Sequence, residues 1–166
     1  MAAETRHRDK EHGYEVRVRW TGNRGEGTAS YRAYGRDHDV EADGRPLLKG
    51  SADKSFRGDP DRWNPEDLLV AALSECHMLS YFALAVGAGV NVVAYEDRAT
   101  GSMVTHADSS GEFTEVVLHP VVTVADASMV GNAEALHEKA HAACFIARSV
   151  NFPVRNEPEI RVQGEE

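Results

Sequence analysis

Apolar and charged residues alternate over residues 14–20, and this alternation predicts the first element of the fold. Successive side chains of a strand point to opposite faces, so a period of two is typical of a half-buried strand. The Gly-rich stretch 21–27 predicts a turn into a second strand over 28–34, so that a hairpin opens the fold. The apolar face of the first strand consists of Tyr14, Val16, Val18 and Trp20.

A long apolar run begins after Asn64 and Pro65 and has two acidic residues at its start. Asn caps helices, Pro fits their first turn, and acids favour the positive end of the helix dipole. The pattern therefore predicts a helix that runs to about Val86, where Gly87 and Gly89 end it.

Shorter patterns fill the rest of the chain. Apolar residues at helical spacing predict a second helix over residues 133–149. Runs of strands followed by helices, rather than strict alternation, indicate the α+β class. Short strands are expected within 35–56, with turns at 42–44 and 49–50, and further strands at 92–103, 112–124 and 159–162, with a turn at 108–111.

Composition narrows the possible functions. The 166 residues match a single domain, predicted at 13–166, and the charged, aperiodic residues 1–12 are expected to form a mobile arm. The net charge of −9 argues against a nucleic-acid partner, because neutralising phosphates needs an excess of basic residues. We find neither a signal-peptide pattern nor a long uncharged apolar run, so we expect a cytoplasmic protein with no membrane partner.

The chain has two cysteines, Cys76 and Cys144, and each is predicted to lie within a core helix. Structural disulfides are rare in the cytoplasm, so such a pair is catalytic, metal-binding or simply buried. Two thiols on separate helices suggest redox chemistry, because one thiolate can attack a peroxide and a second can clear the product. Cys76 follows Leu68 and Ala72 at helical spacing and shares their buried face.

Three segments resemble the OsmC/Ohr family of thiol-dependent hydroperoxide reductases. Residues 64–76 (NPEDLLVAALSEC) are similar to that family's first cysteine helix, and residues 140–144 (AHAAC) to its second. Residues 20–28 resemble its N-terminal turn. The similarity spans most of the chain, from about residue 14 to 154.

The resemblance implies a fold, an assembly and a site. The expected fold has antiparallel sheets packed on two central helices, in an intertwined homodimer with active sites at the subunit interface. Cys76 corresponds to the peroxidatic cysteine and Cys144 to the resolving cysteine. The family's catalytic glutamate corresponds to Glu66, and its arginine to Arg24. Two rivals for the arginine are Arg57 and Arg62.

Helix geometry adds a constraint on Glu66. It lies ten residues before Cys76 on the same predicted helix, hence about 15 Å away at ~1.5 Å per residue. If both residues act in one site, they must come from different chains. Two such helices packed antiparallel about a two-fold axis would bring Glu66 of one chain near Cys76 of the other.

The activity implied by the resemblance is reduction of an organic hydroperoxide to an alcohol, in defence against oxidative stress. An arginine held by Glu66 would stabilise the Cys76 thiolate, and the sulfenic acid formed there would condense with Cys144. An external dithiol or lipoyl-type reductant would reopen the disulfide, so no bound cofactor is expected. Apolar neighbours suited to an organic substrate are Trp63, Leu68, Leu69, Leu79 and Phe82.

The sequence departs from the family pattern around both cysteines. Cys144 is followed by Phe145 and Ile146, where many members have Pro and a small polar residue. A bulkier segment without Pro would aim Cys144 differently. Glu75 and His77, which flank Cys76, are also unusual, and a carboxylate facing the sulfur would raise the pKa of the thiol.

Two alternatives remain. His137, His141 and Cys144 fall at i, i+4 and i+7, and with His77 they could supply ligands to zinc. The other alternative is a dimer with the same fold that lacks peroxidase activity and binds a small ligand or a partner, because fold does not fix function.

Overall fold

The computed structural model describes residues 9–165. Most of the predicted N-terminal arm, residues 1–8, lies outside the described residues, and so does Glu166. The chain divides into two compact units, Met1–Pro65 and Glu66–Glu166. The prediction of one domain over 13–166 stays a prediction.

The first unit contains one antiparallel sheet of three strands. They are β1 (Arg17–Trp20), β2 (His38–Glu41) and β3 (Leu48–Gly50), in the order β1-β2-β3. Arg19 forms an ion pair with Asp39 across β1 and β2 at 3.1 Å. The turn predicted at 42–44 is confirmed, whereas the one predicted at 49–50 is wrong because both residues belong to β3.

The hairpin predicted at the start of the chain is wrong, because residues 28–34 form turns and the partner of β1 is β2. Alternation would have put Tyr31 and Tyr34 in a strand. Instead the Arg36 guanidinium lies over both rings, at 4.3 and 4.1 Å from their centroids. Gly22 and Gly35 pack backbone to backbone, with Gly35 N–H donating to Gly22 O at 2.8 Å. A side chain on Gly22 would collide with the backbone of Gly35.

The prediction that β1 is half-buried is also wrong in this protomer. Every residue of β1 is exposed, including Val18 at 63% and Trp20 at 42%. The apolar face that the alternation identified therefore exists but has no cover within the described residues.

The second unit has two mixed sheets of three strands each, in the orders β4-β7-β9 and β5-β6-β8. Its first four strands pair antiparallel, while β8 and β9 pair parallel to β6 and β7. The bounds are β4 (Val92–Asp97), β5 (Thr100–Thr105), β6 (Gly111–Leu118), β7 (Pro120–Val124), β8 (Val154–Asn156) and β9 (Glu159–Val162).

Each long strand predicted here is in fact two strands in different sheets. Asp97 holds one of the corners where the chain changes sheet: its carboxylate accepts from His119 N–H at 2.7 Å and from Ser74 Oγ at 2.5 Å. The predicted turn at 108–111 and the last strand at 159–162 are confirmed.

Helix α1 spans Pro65–Gly87, as predicted from its start and stop residues. Gly89 adopts a left-handed backbone (φ 68°) just beyond it, a conformation that favours glycine. The buried positions recur every four residues: Leu73, His77, Tyr81 and Ala85. In length and composition α1 also passes the test for a membrane span, one that the core helix of a soluble protein passes too.

Helix α2 spans Val130–Ala143, so the predicted end at Ser149 is wrong. Cys144 follows α2 in an extended conformation (ψ 113°), and a short 3₁₀ turn occupies Ala147–Ser149. Backbone donors of that turn bond back to Cys144: Ala147 N–H reaches its sulfur at 3.4 Å and Arg148 N–H its carbonyl at 3.1 Å. These bonds satisfy the end of the helix and fix the cysteine there.

The α+β class with two main helices is confirmed. One core cluster, centred on Tyr81 and Val122, joins α1 and α2 to the sheet of β4, β7 and β9. A second cluster, centred on Leu73 and Leu118, lies against the other sheet. Both cysteines lie in this second unit, Cys76 on α1 and Cys144 directly after the end of α2.

Candidate active site

Cys76 lies on α1 and lines a shallow groove of about 490 Å³. Its side chain is partly exposed, so a solute in the groove can reach the sulfur. The groove is predominantly apolar, with one charged residue, Glu75, in its lining. The lining residues are Ala72, Glu75, Cys76, Leu79, Ser80, Ala83, Phe145 and Ile146.

Cys144 is 1% exposed and meets Cys76 from the end of α2. The two thiols are neighbours, close enough for Cys76 to affect the protonation of Cys144, and neither is in a disulfide. Burial, and then the contact with Cys76, raises the pKa of the Cys144 thiol to about 11. At neutral pH the Cys144 thiol is therefore protonated.

The end of α2 at Cys144 also explains the composition of the groove. Because the chain turns there, Phe145 and Ile146 leave the helix and line the groove beside Cys76. Phe145 is 78% exposed. The sequence departure after Cys144 thus places apolar side chains next to the sulfur of Cys76. Of the apolar neighbours expected from sequence, Leu79 lines this groove, whereas Phe82 packs against Tyr95 with centroids 5.5 Å apart.

A buried histidine pair lies beside the cysteines, which the sequence did not single out as a pair. His77 Nε2 and His137 Nδ1 are 3.0 Å apart, and the residues are 1% and 3% exposed. Burial lowers the pKa of both imidazoles to about 4. The available signal was the position of each histidine in the apolar stripe of its helix.

The zinc alternative finds no support in this geometry. Within residues 9–165 no group of three or more His, Cys, Asp or Glu side chains is arranged to hold a metal ion. The stripe of His137, His141 and Cys144 is broken because α2 ends before Cys144. The facing nitrogens of His77 and His137 are engaged with each other.

Glu66 lies in the first turn of α1, and the helix runs unbroken from there to Cys76. Ten residues of helix separate the two by about 15 Å, so they do not meet within one chain. One carboxylate oxygen, Oε2, is buried and has no hydrogen-bond partner among the described residues. A buried acceptor without a donor is costly, so this oxygen is suited to an additional cation or N–H group.

The three candidate arginines belong to the first unit. Arg24 is exposed in the loop after β1. Arg57 has a left-handed backbone (φ 67°) and lies 6.0 Å from the centroid of Tyr31. Arg62 lies 3.7 Å from Asp37 and 3.6 Å from Asp59. The assignment of Arg24 stays a prediction.

The chain is similar in sequence and in fold to known proteins. A model of the family described as OsmC-like protein matches residues 58–159. The chain belongs to the OsmC-like family. The matched residues include both cysteines, Glu66 and the groove, whereas the segment 20–28, where the expected hairpin is absent, lies outside them.

Solved structures of OsmC-like proteins confirm the fold. An OsmC-like protein of unknown function from Vibrio cholerae is 31% identical, with a TM-score of 0.79 over 89% of this chain and 99% of that one. An organic hydroperoxide resistance protein OsmC from Legionella pneumophila is 18% identical, with a TM-score of 0.67 over 92% and 99%. That of Bacillus subtilis is also 18% identical, with a TM-score of 0.59 over 90% and 98%. No curated protein is significantly similar in sequence.

Proposed function

We propose that this OsmC-like protein is a thiol-dependent peroxidase that reduces organic hydroperoxides to alcohols, in defence against oxidative stress. The observation that carries the proposal is the proximity of Cys76, in an apolar groove, to the buried thiol of Cys144. Two structural relatives are organic hydroperoxide resistance proteins, which supports the same activity.

In the first step the Cys76 thiolate attacks the distal oxygen of the hydroperoxide and the O–O bond breaks. The alkoxide that leaves takes the proton that Cys76 released, so that thiol and hydroperoxide give sulfenic acid and alcohol. The Cys144 thiol, which is protonated because burial raises its pKa, is the proposed hydrogen-bond donor to the sulfur of Cys76 during this step. A guanidinium adds to this effect, with Arg24 as the candidate and Glu66 as its bidentate partner.

In the second step Cys144 attacks the Cys76 sulfenic acid. The Cys144 proton passes to the departing hydroxyl, a disulfide forms and water leaves. This step requires the two sulfurs to be neighbours, as Cys76 and Cys144 are. Condensation with a neighbouring thiol also protects the sulfenic acid from further oxidation.

An external dithiol, of the lipoyl type, then reduces the disulfide by exchange, and no bound cofactor takes part. The sulfur that the dithiol attacks is that of Cys76, because Cys144 is buried whereas Cys76 is open to the groove. We place the reaction in the cytoplasm, where reductants keep such thiols available.

The active form is proposed to be a homodimer. Only 22% of the most apolar stretch of α1 is buried in the protomer, and Leu79 and Val86 are 62% and 82% exposed. A second copy would cover this face, as expected for an apolar surface of this kind. The same packing would supply Glu66 to the partner's site across the two-fold axis.

Turnover tests the proposal directly. Purified protein with a dithiol should consume cumene hydroperoxide, and Cys76→Ser should abolish the consumption. Ser80→Ala, in the same groove, is the matched control and should retain most of the activity. A folded wild-type protein that consumes no hydroperoxide with any dithiol would contradict the proposal.

That contrary result would favour a dimer of this fold that binds a small ligand or a partner instead. Binding of apolar ligands to the Cys76 groove without turnover is the result that would establish it.

A further inference from the structure

The buried contact between His77 and His137 is an in-plane hydrogen bond. The two rings are inclined by only 10°, yet their centroids are 5.3 Å apart while the facing nitrogens are 3.0 Å apart. Rings with these dimensions face each other edge to edge, rather than stacking face to face. His77 Nε2 and His137 Nδ1 therefore share one proton, which one donates and the other accepts.

This bond is one of three side-chain links that join α1 to α2 in sequence. Cys76 contacts Cys144, His77 contacts His137, and the Tyr81 hydroxyl donates to Ala133 O at 2.9 Å. Residue numbers rise along α1 as they fall along α2, so the helices run antiparallel along this row of contacts. The imidazole bond is the link adjacent to the cysteines, because His77 is the next residue after Cys76.

We propose that His77 and His137 are positioning residues whose shared proton holds the two cysteine helices in the register at which Cys144 meets Cys76. The link sets how readily the two thiols become a disulfide. This inference deepens the proposed function, but the alignment that it describes is a property of the dithiol pair and can be measured without any hydroperoxide.

The surroundings of the pair keep both imidazoles neutral, so that a single proton lies between the two facing nitrogens. Burial dominates in lowering the pKa of both imidazoles, His141 adds to the effect at His77, and the carboxylate of Asp97 opposes it there. The ring of Tyr81 covers His137 at 4.3 Å. A second proton would set two N–H groups against each other and break the link.

The two ring nitrogens that face away from the shared proton have no hydrogen-bond partner among the described residues. His77 Nδ1 and His137 Nε2 are both buried and make no hydrogen bond to any described residue. Losing the inner bond would leave an imidazole with a buried unpaired nitrogen, which is costly. The helices therefore have a strong reason to keep the register that maintains it.

The test is the equilibrium of the full-length protein with glutathione. Glutathione disulfide oxidises the two thiols to the Cys76–Cys144 disulfide and leaves as two molecules of glutathione, and the ratio of species gives the effective concentration of one thiol at the other. His137→Phe keeps a ring against Tyr81 but removes the bond. His137→Asn places a polar side-chain atom near the site of Nδ1 and restores it.

We expect His137→Phe to lower the effective concentration about tenfold, equivalent to ~30 mV in the potential of the pair. His137→Asn should remain within about threefold of wild type on the same scale. Tyr81→Phe is the matched control, because it removes the other buried bond between the helices and leaves the imidazoles in place. It should also remain close to wild type.

The proposal is overturned if His137→Phe equals the wild type, or if Tyr81→Phe loses as much as His137→Phe, since packing rather than the shared proton would then account for the effect. Should the Phe variant fail to fold, an Asn variant with tenfold loss overturns it equally. If the variants show the expected effective concentrations but the protein does not consume hydroperoxide, the proposed peroxidase activity is contradicted. The positioning role of His77 and His137 is then still supported.

Discussion

At the scale of single residues, burial determines which groups of the candidate site are protonated at neutral pH. Cys144 is protonated because burial raises the pKa of its thiol, and in the proposed reaction it is a proton donor first and a nucleophile later. His77 and His137 are neutral for the same reason, burial. Cys76 is partly exposed, so its sulfur is open to solutes in the groove.

The histidine pair predicts a pH dependence of stability. The pKa of each imidazole is about 4 in the folded protein against an ordinary 6.5, so the unfolded chain binds more protons between these values. The free energy of unfolding should therefore fall as the pH drops from 6.5 towards 4, with an uptake of about two protons on unfolding. Urea titrations at pH 7.5 and pH 5 measure it.

The variant His137→Asn removes one of the two titrating groups. Its loss of stability between pH 7.5 and pH 5 should be roughly half that of the wild type. His106→Asn, on the exposed β5–β6 turn, is the control and should keep the wild-type dependence. Equal losses in wild type and His137→Asn would show that the pair does not titrate as described.

Single residues of the candidate site could be predicted from the sequence, but the contacts between them could not. Cys76 and Cys144 could be named because cysteine chemistry and the resemblance single them out. Their contact could not be predicted, since it joins residues 68 positions apart through the packing of two helices. The role of His77 was missed for the same reason: a histidine on an apolar helix face gives no sign of its partner.

At the scale of elements, a helix or strand could be predicted where local interactions determine its bounds, and could not where contacts with more distant residues determine them. The bounds of α1 were predictable because Asn64, Pro65 and the glycines after the helix act within one turn. The end of α2 was not, because it depends on bonds from Ala147 and Arg148 back to Cys144. The strand expected at 28–34 failed because Arg36 binds two tyrosines there in a turn.

The end of α1 offers a matched pair of glycines for a test. Gly89 has a φ of 68°, whereas Gly87 is the last helical residue without a positive φ, and a Cβ on either would meet open space. Gly89→Ala should cost about 1 kcal/mol of unfolding free energy, because only the backbone conformation opposes it. Gly87→Ala should be neutral or stabilise by a few tenths to about 1 kcal/mol.

Thermal or urea unfolding of the two variants distinguishes these outcomes. If Gly87→Ala destabilises as much as Gly89→Ala, the helix does not end in the way described. A partner chain packed against this end would produce that result, so the measurement also reports on the extent of the interface.

At the scale of the whole molecule, two apolar surfaces formed by residues 9–165 are uncovered in the protomer. One is the face of β1 that carries Val18 and Trp20, and the other is the face of α1 that carries Leu79 and Val86. The sequence pattern predicted burial of the β1 face, and it predicted α1 as a long apolar helix. A dimer reconciles the pattern with the protomer, because a second copy can supply the cover that the chain itself does not.

The dimer predicts the effect of a charge on α1. Leu79→Glu should leave the protomer folded, because Leu79 is already 62% exposed, but it should shift the protein from dimer to monomer. Sedimentation velocity at micromolar concentration measures the change. Met103→Glu, at a 40% exposed position on β5, is the control and should remain dimeric. A wild-type protein that sediments as a monomer at all concentrations would refute the proposed assembly.

The most direct test of the central claim is intact mass spectrometry of the reduced protein before and after one equivalent of cumene hydroperoxide. Conversion to the disulfide removes two hydrogen atoms, so the mass should fall by about 2 Da, and digestion should yield a peptide that joins Cys76 to Cys144. Cys144→Ser should instead retain a Cys76 sulfenic acid that dimedone traps. An unchanged mass, or oxidation elsewhere with both thiols free, would contradict the account.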